Sequence, residues 1–494
     1  MMFSMNKSSF LSIDTVILFS IIFILLSIIL FIIFFALKNK MQGKRIKILG
    51  AWVFVWLLVG FILFNTGYFG RFINVESANK VQYNEEELSD DLQQIENSIM
   101  KENPLFFVDK NKVKKSFAAT YDKIEDGMTE LQFYRLINPV ITGINCGHTN
   151  LSISKGLQQN REENAKFFPL KVTLVNNELF VLEDYNNEIK AGYKIISING
   201  KNSEQIIKKL IENISGDGIG ETKQRYIISK YFNSRFYDFV DNSDSFNIKY
   251  INSDGNIDND IIAAKYNNDF NVNAWGIHSD PYKNGNYYGN SLYDDYALLN
   301  LNVFMKERED NFNDFLKEFF LELKEKKISK LIIDLRGNFG GSPQMSKKLL
   351  SYLVNKETKY FTGDLPFLQS ILGFTDPIVP NENRFEGETI IITDGSNFST
   401  AAHFISMVKY HKLGILLGSK TGGSYVCTDS SKDIVLNNTR MRLHYSTLVY
   451  ELEVEGLPQN KGIAPDIYVS QNIDNILSGK DLALEKALQV LEIN

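Results

Sequence analysis

The sequence predicts a multidomain α/β protein that begins with two transmembrane helices. Residues 16–37 contain no charged side chain, and residues 48–64 form a second apolar run. Helical spacing then dominates residues 85–141. From residue 298 onward, short apolar strands alternate with amphipathic helical segments, which is the pattern of an α/β core.

The two apolar runs suit bilayer spans, at about residues 16–37 and 48–68. A signal peptide is the alternative for the first run, but that run exceeds a usual h-region and no small-residue cleavage site follows it. We therefore favour two anchors. The loop between them is rich in basic residues: Lys38, Lys40, Lys44, Arg45 and Lys47. The positive-inside rule places this loop in the cytoplasm, which predicts a two-span cell-membrane protein with its remaining domains extracytoplasmic.

Composition limits the function classes. The 494 residues are 44% apolar and 23% charged, so the chain can bury large cores. A formal net charge of −6 argues against a general nucleic-acid-binding protein. We expect the lipid bilayer and a peptide or protein substrate as partners, and no nucleic acid.

Residues 80–150 are predicted to form a helical domain, or cap. Glu85–Met100 has helical spacing with acidic residues in its first turn, where the helix dipole favours them. Two further helices are expected over Lys112–Met128 and Thr129–Ile141. The domain ends in the loop Asn145–Thr149, which contains Cys146 and His148.

Residues 160–245 carry short β-like runs and then the segment Ala191–Lys201, which reads AGYKIISINGK. This segment, followed by an amphipathic helix over Ser203–Ile214, resembles the signature of a PDZ-like domain. Such domains bind peptide tails by adding a strand to a sheet edge. The alternative is a domain that only braces its neighbour.

Residues 251–290 are interpreted as loops and short hairpins because they are rich in Asn, Asp, Tyr and Gly. A core domain is predicted over residues 290–472. It opens with a strand at Leu298–Phe304 and a helix at Asn311–Glu325 whose apolar residues fall on one stripe. A C-terminal helix is predicted within residues 473–494.

The core is organised around residues 388–423. An apolar β-like run ends at the turn Asp394–Asn397, and Ser399 and Thr400 open a helical segment. This arrangement places Ser399 at a positive helix end, where unpaired N–H groups could stabilise a nucleophilic oxygen or an oxyanion. The alternative is that Ser399 only caps its helix, because serine is a preferred N-cap residue.

Two further stretches of the sequence argue against a purely capping role for Ser399. Residues 330–342 read KLIIDLRGNFGGS, a strand that runs into a glycine turn able to expose N–H groups to a ligand. Residues 456–469 read GLPQNKGIAPDIYV. In this order, the three stretches resemble the tail-specific (C-terminal processing) serine protease family, including its tricorn-core-like branch. The resemblance implies a crotonase/ClpP-like ββα protease core and an oxyanion hole formed by Gly340 or Gly341 with Thr400.

The resemblance also bears on the general base. Bacterial members use a lysine about 25 residues after the serine, where this chain has Gly422, Gly423 and Ser424. Tricorn-like members carry a histidine base at the position of His148. A neutral imidazole can take the serine proton and return it to the leaving amine. The alternative is a structural histidine.

The acid that orients the base in this family is carried at a step where this chain has Gln459. Glu455, Glu453 or Asp466 could substitute, and a neutral glutamine stabilises an imidazolium less than a carboxylate. Two functions therefore remain open. One is a serine peptidase that acts through Ser399 and His148, and the other is a catalytically inactive, peptide-binding or scaffold protein at the membrane.

The chain has two cysteines, Cys146 and Cys427, and both lie near this chemistry in the sequence. They could form a disulfide if their loops meet as the family layout suggests, and buried free thiols are the alternative. The spacing of His, Cys, Asp and Glu residues indicates no metal site. We expect no cofactor.

Overall fold

A computed structural model of the chain describes residues 81–184, 189–266, 287–304, 309–363 and 365–493, together with the dipeptide strands β1 (Leu11–Ser12) and β2 (Ile73–Asn74). The two predicted membrane spans lie outside the described residues. Within these ranges, every helix is too short or too polar to cross a lipid bilayer.

Three helices form the N-terminal cap: α1 (Glu85–Glu102), α2 (Lys110–Tyr121) and α3 (Glu130–Thr142). Capping boxes begin α1 and α3: the side chains of Asn84 and Thr129 each accept the backbone N–H at N3, and their own backbone N–H groups donate to the N3 side chains of Glu87 and Gln132. The second helix ends seven residues before its predicted end at Met128. The helix break that the sequence predicts at residues 126–127 therefore begins earlier in the chain, directly after Tyr121.

A six-stranded sheet follows the cap, in the order β10-β9-β7-β6-β5 with β8 paired to β7. Before it come β3 (Asn150–Ser152), α4 (Lys155–Asn164) and β4 (Lys166–Phe167). Its strands are β5 (Val172–Val175), β6 (Glu178–Val181), β7 (Lys194–Ile198), β8 (Lys201–Asn202), β9 (Ser245–Ile251) and β10 (Ile257–Ala263). Two helices pack on it, α5 (Ser203–Ile211) and α6 (Thr222–Phe239), and the strand β11 (Lys265–Tyr266) pairs with β4. The sheet continues past the predicted boundary at 245, because β9 and β10 form one hairpin.

The core domain is built on a second six-stranded sheet, in the order β12-β13-β14-β15-β16-β21. Its strands are β12 (Tyr288–Leu292), β13 (Ala297–Leu301), β14 (Lys330–Asp334), β15 (Glu388–Thr393), β16 (Ile415–Gly418) and β21 (Ile467–Tyr468). All neighbours from β13 to β21 are parallel. Their carboxyl ends therefore share one edge of the sheet, which is where α/β proteins bind ligands.

Helices cover both faces of this sheet, as the continuous apolar runs of β14 and β15 require. The covering helices are α7 (Glu309–Lys326), α8 (Pro343–Ser351), α10 (Thr400–His411) and α12 (Leu482–Val490). The described residues of the short helices α9 (Phe367–Ile371) and α11 (Ile473–Leu477) lie outside the buried clusters. Residues of α7, α8 and α10 share a buried cluster with one face, and α12 packs on the other through Ala483 and Ala487. The predicted single C-terminal helix is thus two helices.

Two smaller sheets join the cap to the core. They contain β17 (Val426–Asp429), β18 (Lys432–Val435), β19 (Arg442–Tyr445) and β20 (Leu448–Glu451). The pair β17–β20 is antiparallel, and β19 pairs with both β18 and β3. Because β3 directly follows the His148 loop, the β3–β19 pairing brings that loop to the core. Asp91 of α1 supports the same junction, since its carboxylate accepts bonds from the Thr439 N–H and hydroxyl at 2.8 and 2.6 Å.

Candidate active site

Ser399 lies at the carboxyl edge of the core sheet, between β15 and α10. The turn that leads to it is held by side-chain bonds: Asn397 Oδ1 accepts the Asp394 N–H at 2.8 Å, and Asp394 Oδ1 accepts the Ser396 N–H at 3.0 Å. Asn397 Nδ2 also donates to Leu335 O at 2.6 Å, after β14. These bonds position the serine turn against the glycine turn that follows β14.

The conformation of Ser399 does not fit a simple capping role. Its side chain makes no capping hydrogen bond to α10. Its backbone has φ 53° and ψ −130°, a combination that glycine adopts readily and that strains other residues. Strain of this kind persists where the surrounding structure enforces it, often at functional sites. The residue is 8% exposed and its hydroxyl interacts with the Cys427 thiol.

The predicted oxyanion donors lie beside Ser399. A Cβ atom on Gly340 would come within 2.9 Å of the Thr400 nitrogen, so only glycine allows this approach. The Gly340 N–H, however, donates to Asn338 Oδ1 at 2.8 Å. The N–H groups of Gly341 and Thr400 donate to no described residue, and Thr400 Oγ1 ties the two turns together by donating to Gly341 O at 2.7 Å. The structure therefore favours Gly341 and Thr400 as the donor pair over Gly340.

His148 reaches this site through Phe398, the residue before Ser399. The imidazole lies on the Phe398 ring with centroids 4.8 Å apart. The imidazole therefore packs on the residue that directly precedes Ser399. His148 Nδ1 has no hydrogen-bond partner among the described residues, and catalytic hydrogen bonds are often long or absent before substrate binds.

The imidazole is electrostatically biased toward its neutral form. Burial lowers the pKa of His148 to about 4, and the Lys223 ammonium adds to this shift, whereas the Asp429 carboxylate opposes it. The Nδ1 atom is buried without a partner in the described part of the chain. A neutral imidazole with a free nitrogen is the form that a general base requires.

Asp429 is the acid that the structure places against His148. Its Oδ2 lies 3.8 Å from His148 Nε2. The two orienting residues predicted from the sequence, Gln459 and Glu455, have exposed side chains. The backbone of Gln459 serves a structural purpose, since its carbonyl accepts the Ser424 hydroxyl at 2.8 Å. The motif spacing did not identify Asp429, because this residue lies at the end of β17 and not at the position of Gln459, where the acid was expected.

The two cysteines are free and buried, so the disulfide interpretation gives way to free thiols. Cys146 Sγ lies 2.8 Å from Thr428 Oγ1 of β17 and 3.1 Å from Ser446 Oγ, which follows β19, so these contacts attach the His148 loop to both segments. Burial raises the pKa of both thiols, and that of Cys427 rises most strongly.

We expect a thiol titration to reflect this burial. In the absence of reductant, Ellman's reagent should react slowly with the native protein and should count two thiols after denaturation, because thiolate formation is disfavoured in both sites. A count of zero in denaturant would show instead that the cysteines are joined.

Parts of the chain resemble known proteins in sequence and in fold. Residues 295–469 match the family model described as Peptidase family S41. Among solved structures, mature CPAF complexed with lactacystin is similar, with a TM-score of 0.60 and 11% identity over 82% of this chain and 97% of that one. Mature CPAF alone gives a TM-score of 0.59 and 12% identity over 82% and 96%. At such identities the likeness shows a shared fold. No curated protein matches the sequence.

Proposed function

We propose that this protein hydrolyses peptide bonds with Ser399 as nucleophile and His148 as general base, since its residues 295–469 match the model of peptidase family S41, the tail-specific protease family. The observation that carries the proposal is the convergence at one sheet edge of a strained serine, a neutral imidazole beside it and two unpaired N–H groups. These are the parts that acyl transfer needs.

The reaction would follow from these positions. The Ser399 oxygen attacks the peptide carbonyl while His148 takes its proton, and the Gly341 and Thr400 N–H groups bind the oxyanion. His148 then protonates the leaving amine as the C–N bond breaks. Water, deprotonated by the same imidazole, hydrolyses the acyl-enzyme and restores the serine. Asp429 stabilises the imidazolium that forms in both steps.

Covalent labelling tests the proposal directly. A fluorophosphonate should add one equivalent to the native protein, and peptide mass spectrometry should locate the adduct on Ser399, because the probe reports an activated serine. The denatured protein serves as the control and should take up none. An adduct elsewhere, or none between pH 5 and 9, would favour the inactive peptide-binding alternative.

The pH dependence of labelling should reveal the shifted imidazole. Labelling requires neutral His148, whose pKa is lowered to about 4, so the rate constant should stay level as the pH falls from 7 to 5 and decline with a midpoint near pH 4. An ordinary histidine would give a midpoint near about 6.5. Circular dichroism at each pH checks that the chain remains folded. A midpoint above pH 6 would contradict this environment.

Asp429→Asn should lower the labelling rate constant by about 10²-fold, because the amide stabilises the imidazolium less than the carboxylate does. Gln459→Ala and Glu455→Gln are the matched comparisons, and each should change the rate by less than about 2-fold because their side chains are exposed. A larger loss of labelling in Gln459→Ala or Glu455→Gln than in Asp429→Asn would instead support the orienting residues expected from the sequence.

Two further parts of the proposal concern the rest of the chain. The apolar runs at residues 16–37 and 48–68 support membrane anchoring, with the peptidase outside the cytoplasm. Retention of the full chain in carbonate-washed membranes, and its digestion by protease added to intact cells, would agree with this topology. The sheet β10-β9-β7-β6-β5 with α5 supports a PDZ-like role in presenting substrate tails.

A further inference from the structure

The peptide group of Gly147, directly before His148, is held on both sides by side chains from a distant segment. Asp217 Oδ1 accepts the Gly147 N–H at 2.6 Å, and Lys223 Nζ donates to Gly147 O at 3.0 Å. Both side chains belong to residues 215–223, which join α5 to α6 and which we call the strap. The strap therefore holds the Gly147 peptide group in place. Because this group directly precedes His148, it sets the direction in which the imidazole points.

Two more bonds fasten the strap along the same loop. Ser215 Oγ donates to Thr149 O at 2.6 Å, and the Gly218 N–H donates to Asn145 O at 2.9 Å. The strap thus makes four hydrogen bonds of 2.6 to 3.0 Å to residues 145–149. The same loop is attached to β17 through Cys146.

Lys223 and His148 both contact the aromatic ring of Phe398. Its Nζ lies 3.9 Å from the centroid of the Phe398 ring, on which the imidazole packs. Gly147 lies tightly against both groups, because a Cβ atom there would come within 2.3 Å of Phe398 Cζ and 2.9 Å of Lys223 Nζ. The histidine loop, the Phe398 ring and the Lys223 ammonium are therefore in mutual contact.

The charges around His148 come from several elements. Asp429 of β17 and His444 of β19 face it from the core hairpins, His403 from α10, and Lys223 from α6. The thiols of Cys146 and Cys427 lie in the same region, with raised pKa values. Burial lowers the pKa of Lys223 to about 8 and raises that of Asp217 to about 7. The Lys223 ammonium keeps its positive charge throughout the range from pH 4 to 7.

We propose that Asp217 and Lys223 are positioning residues of the proposed peptidase: they clamp the Gly147 peptide so that the His148 ring stays on Phe398 beside Ser399, and Lys223 supplies a fixed positive charge that opposes protonation of the ring. The activity readout of this inference rests on the proposed function. The sequence motifs do not point to either residue, because both lie far from the core stretches.

Lys223→Gln tests the charge, and Lys223→Arg retains it. Fluorophosphonate labelling is followed from pH 4 to 9 for both variants. In Lys223→Gln the acid midpoint should move upward by about 0.5 to 1 pH unit and the plateau rate should fall at least about 10-fold. Lys223→Arg should keep the wild-type midpoint. Arg225→Gln is the matched control, because it removes an exposed charge from the same turn of α6 and should change neither quantity.

A second measurement does not depend on activity. Diethylpyrocarbonate modifies neutral imidazole, and peptide mapping can follow its addition to His148 as a function of pH. The midpoint for His148 should move upward in Lys223→Gln and stay in place in Arg225→Gln. If the wild type takes no fluorophosphonate, the proposed function fails, whereas this titration still decides whether the clamp acts on the ring.

The Asp217 arm is tested by Asp217→Asn against Asp217→Ala. The amide oxygen can still accept the Gly147 N–H, so Asp217→Asn should label within about 3-fold of the wild type, whereas Asp217→Ala should lose at least about 10-fold. Unchanged midpoints in a folded Lys223→Gln would overturn the inference. So would complete loss of labelling at every pH in folded Lys223→Gln and Lys223→Arg alike, because the lysine would then act as the base itself.

Discussion

Ser399→Ala should abolish covalent labelling and peptide hydrolysis, with a loss of at least about 10⁴-fold, because no other group at this position can form the acyl-enzyme. The variant should fold, since the side chain caps no helix and is only one small group in the site. Labelling and a thermal melt on the same sample separate loss of chemistry from loss of structure.

Ser399→Gly extends this prediction to stability. Glycine adopts φ 53° and ψ −130° without strain, so the variant should be more stable than Ser399→Ala by about 1 kcal/mol while being equally inactive. Ser406→Ala is the control within the same helix. Its hydroxyl donates to Ala402 O, away from the sheet edge, so labelling should remain. Labelling that survives in Ser399→Ala would eliminate this serine as the nucleophile.

His148→Ala should lower the labelling rate constant by at least about 10³-fold near neutral pH, because the serine proton then has no acceptor. The surface of Phe398 freed by the substitution should admit added imidazole, which is expected to restore part of the rate. Partial rescue would distinguish a missing base from a collapsed site.

His411→Ala is the control for this variant. His411 lies at the last position of α10, on the same helix that Ser399 begins, and its loss should leave labelling within about 2-fold. If His148→Ala labels at the wild-type rate, another group deprotonates Ser399 and the assignment of the base is wrong.

The strand and helix on either side of Ser399 could be predicted from the sequence, because the patterns that indicate them span only a few residues. The apolar run before Asp394 predicts β15, and the spacing after Ser399 predicts α10. The glycine turn at 340–341 signals close approach of backbone. The family resemblance grouped Ser399 and Thr400 with Gly340 or Gly341, and the glycine turn lies against the serine turn in the structure.

The remaining members of the site depend on contacts between distant segments. Cys146 and Thr428, which join the histidine loop to β17, are separated by 282 residues. Asp429 is the next residue of β17, so the same contact brings it to His148, although no sequence motif marks its position. The role of Lys223 likewise depends on how α6 packs on the serine turn, which no periodicity in the sequence specifies.

The sequence by itself determined the resemblance of the core to the tail-specific proteases, the strand–turn–helix step that presents Ser399, and His148 as the histidine to consider. Only the tertiary structure decided that Asp429, not Gln459 or Glu455, faces His148, and that the strap grips its loop. The physical reason is that periodicity and turn chemistry act over a few residues, whereas the pairing of β3 with β19 and the packing around Phe398 are set by the whole buried core.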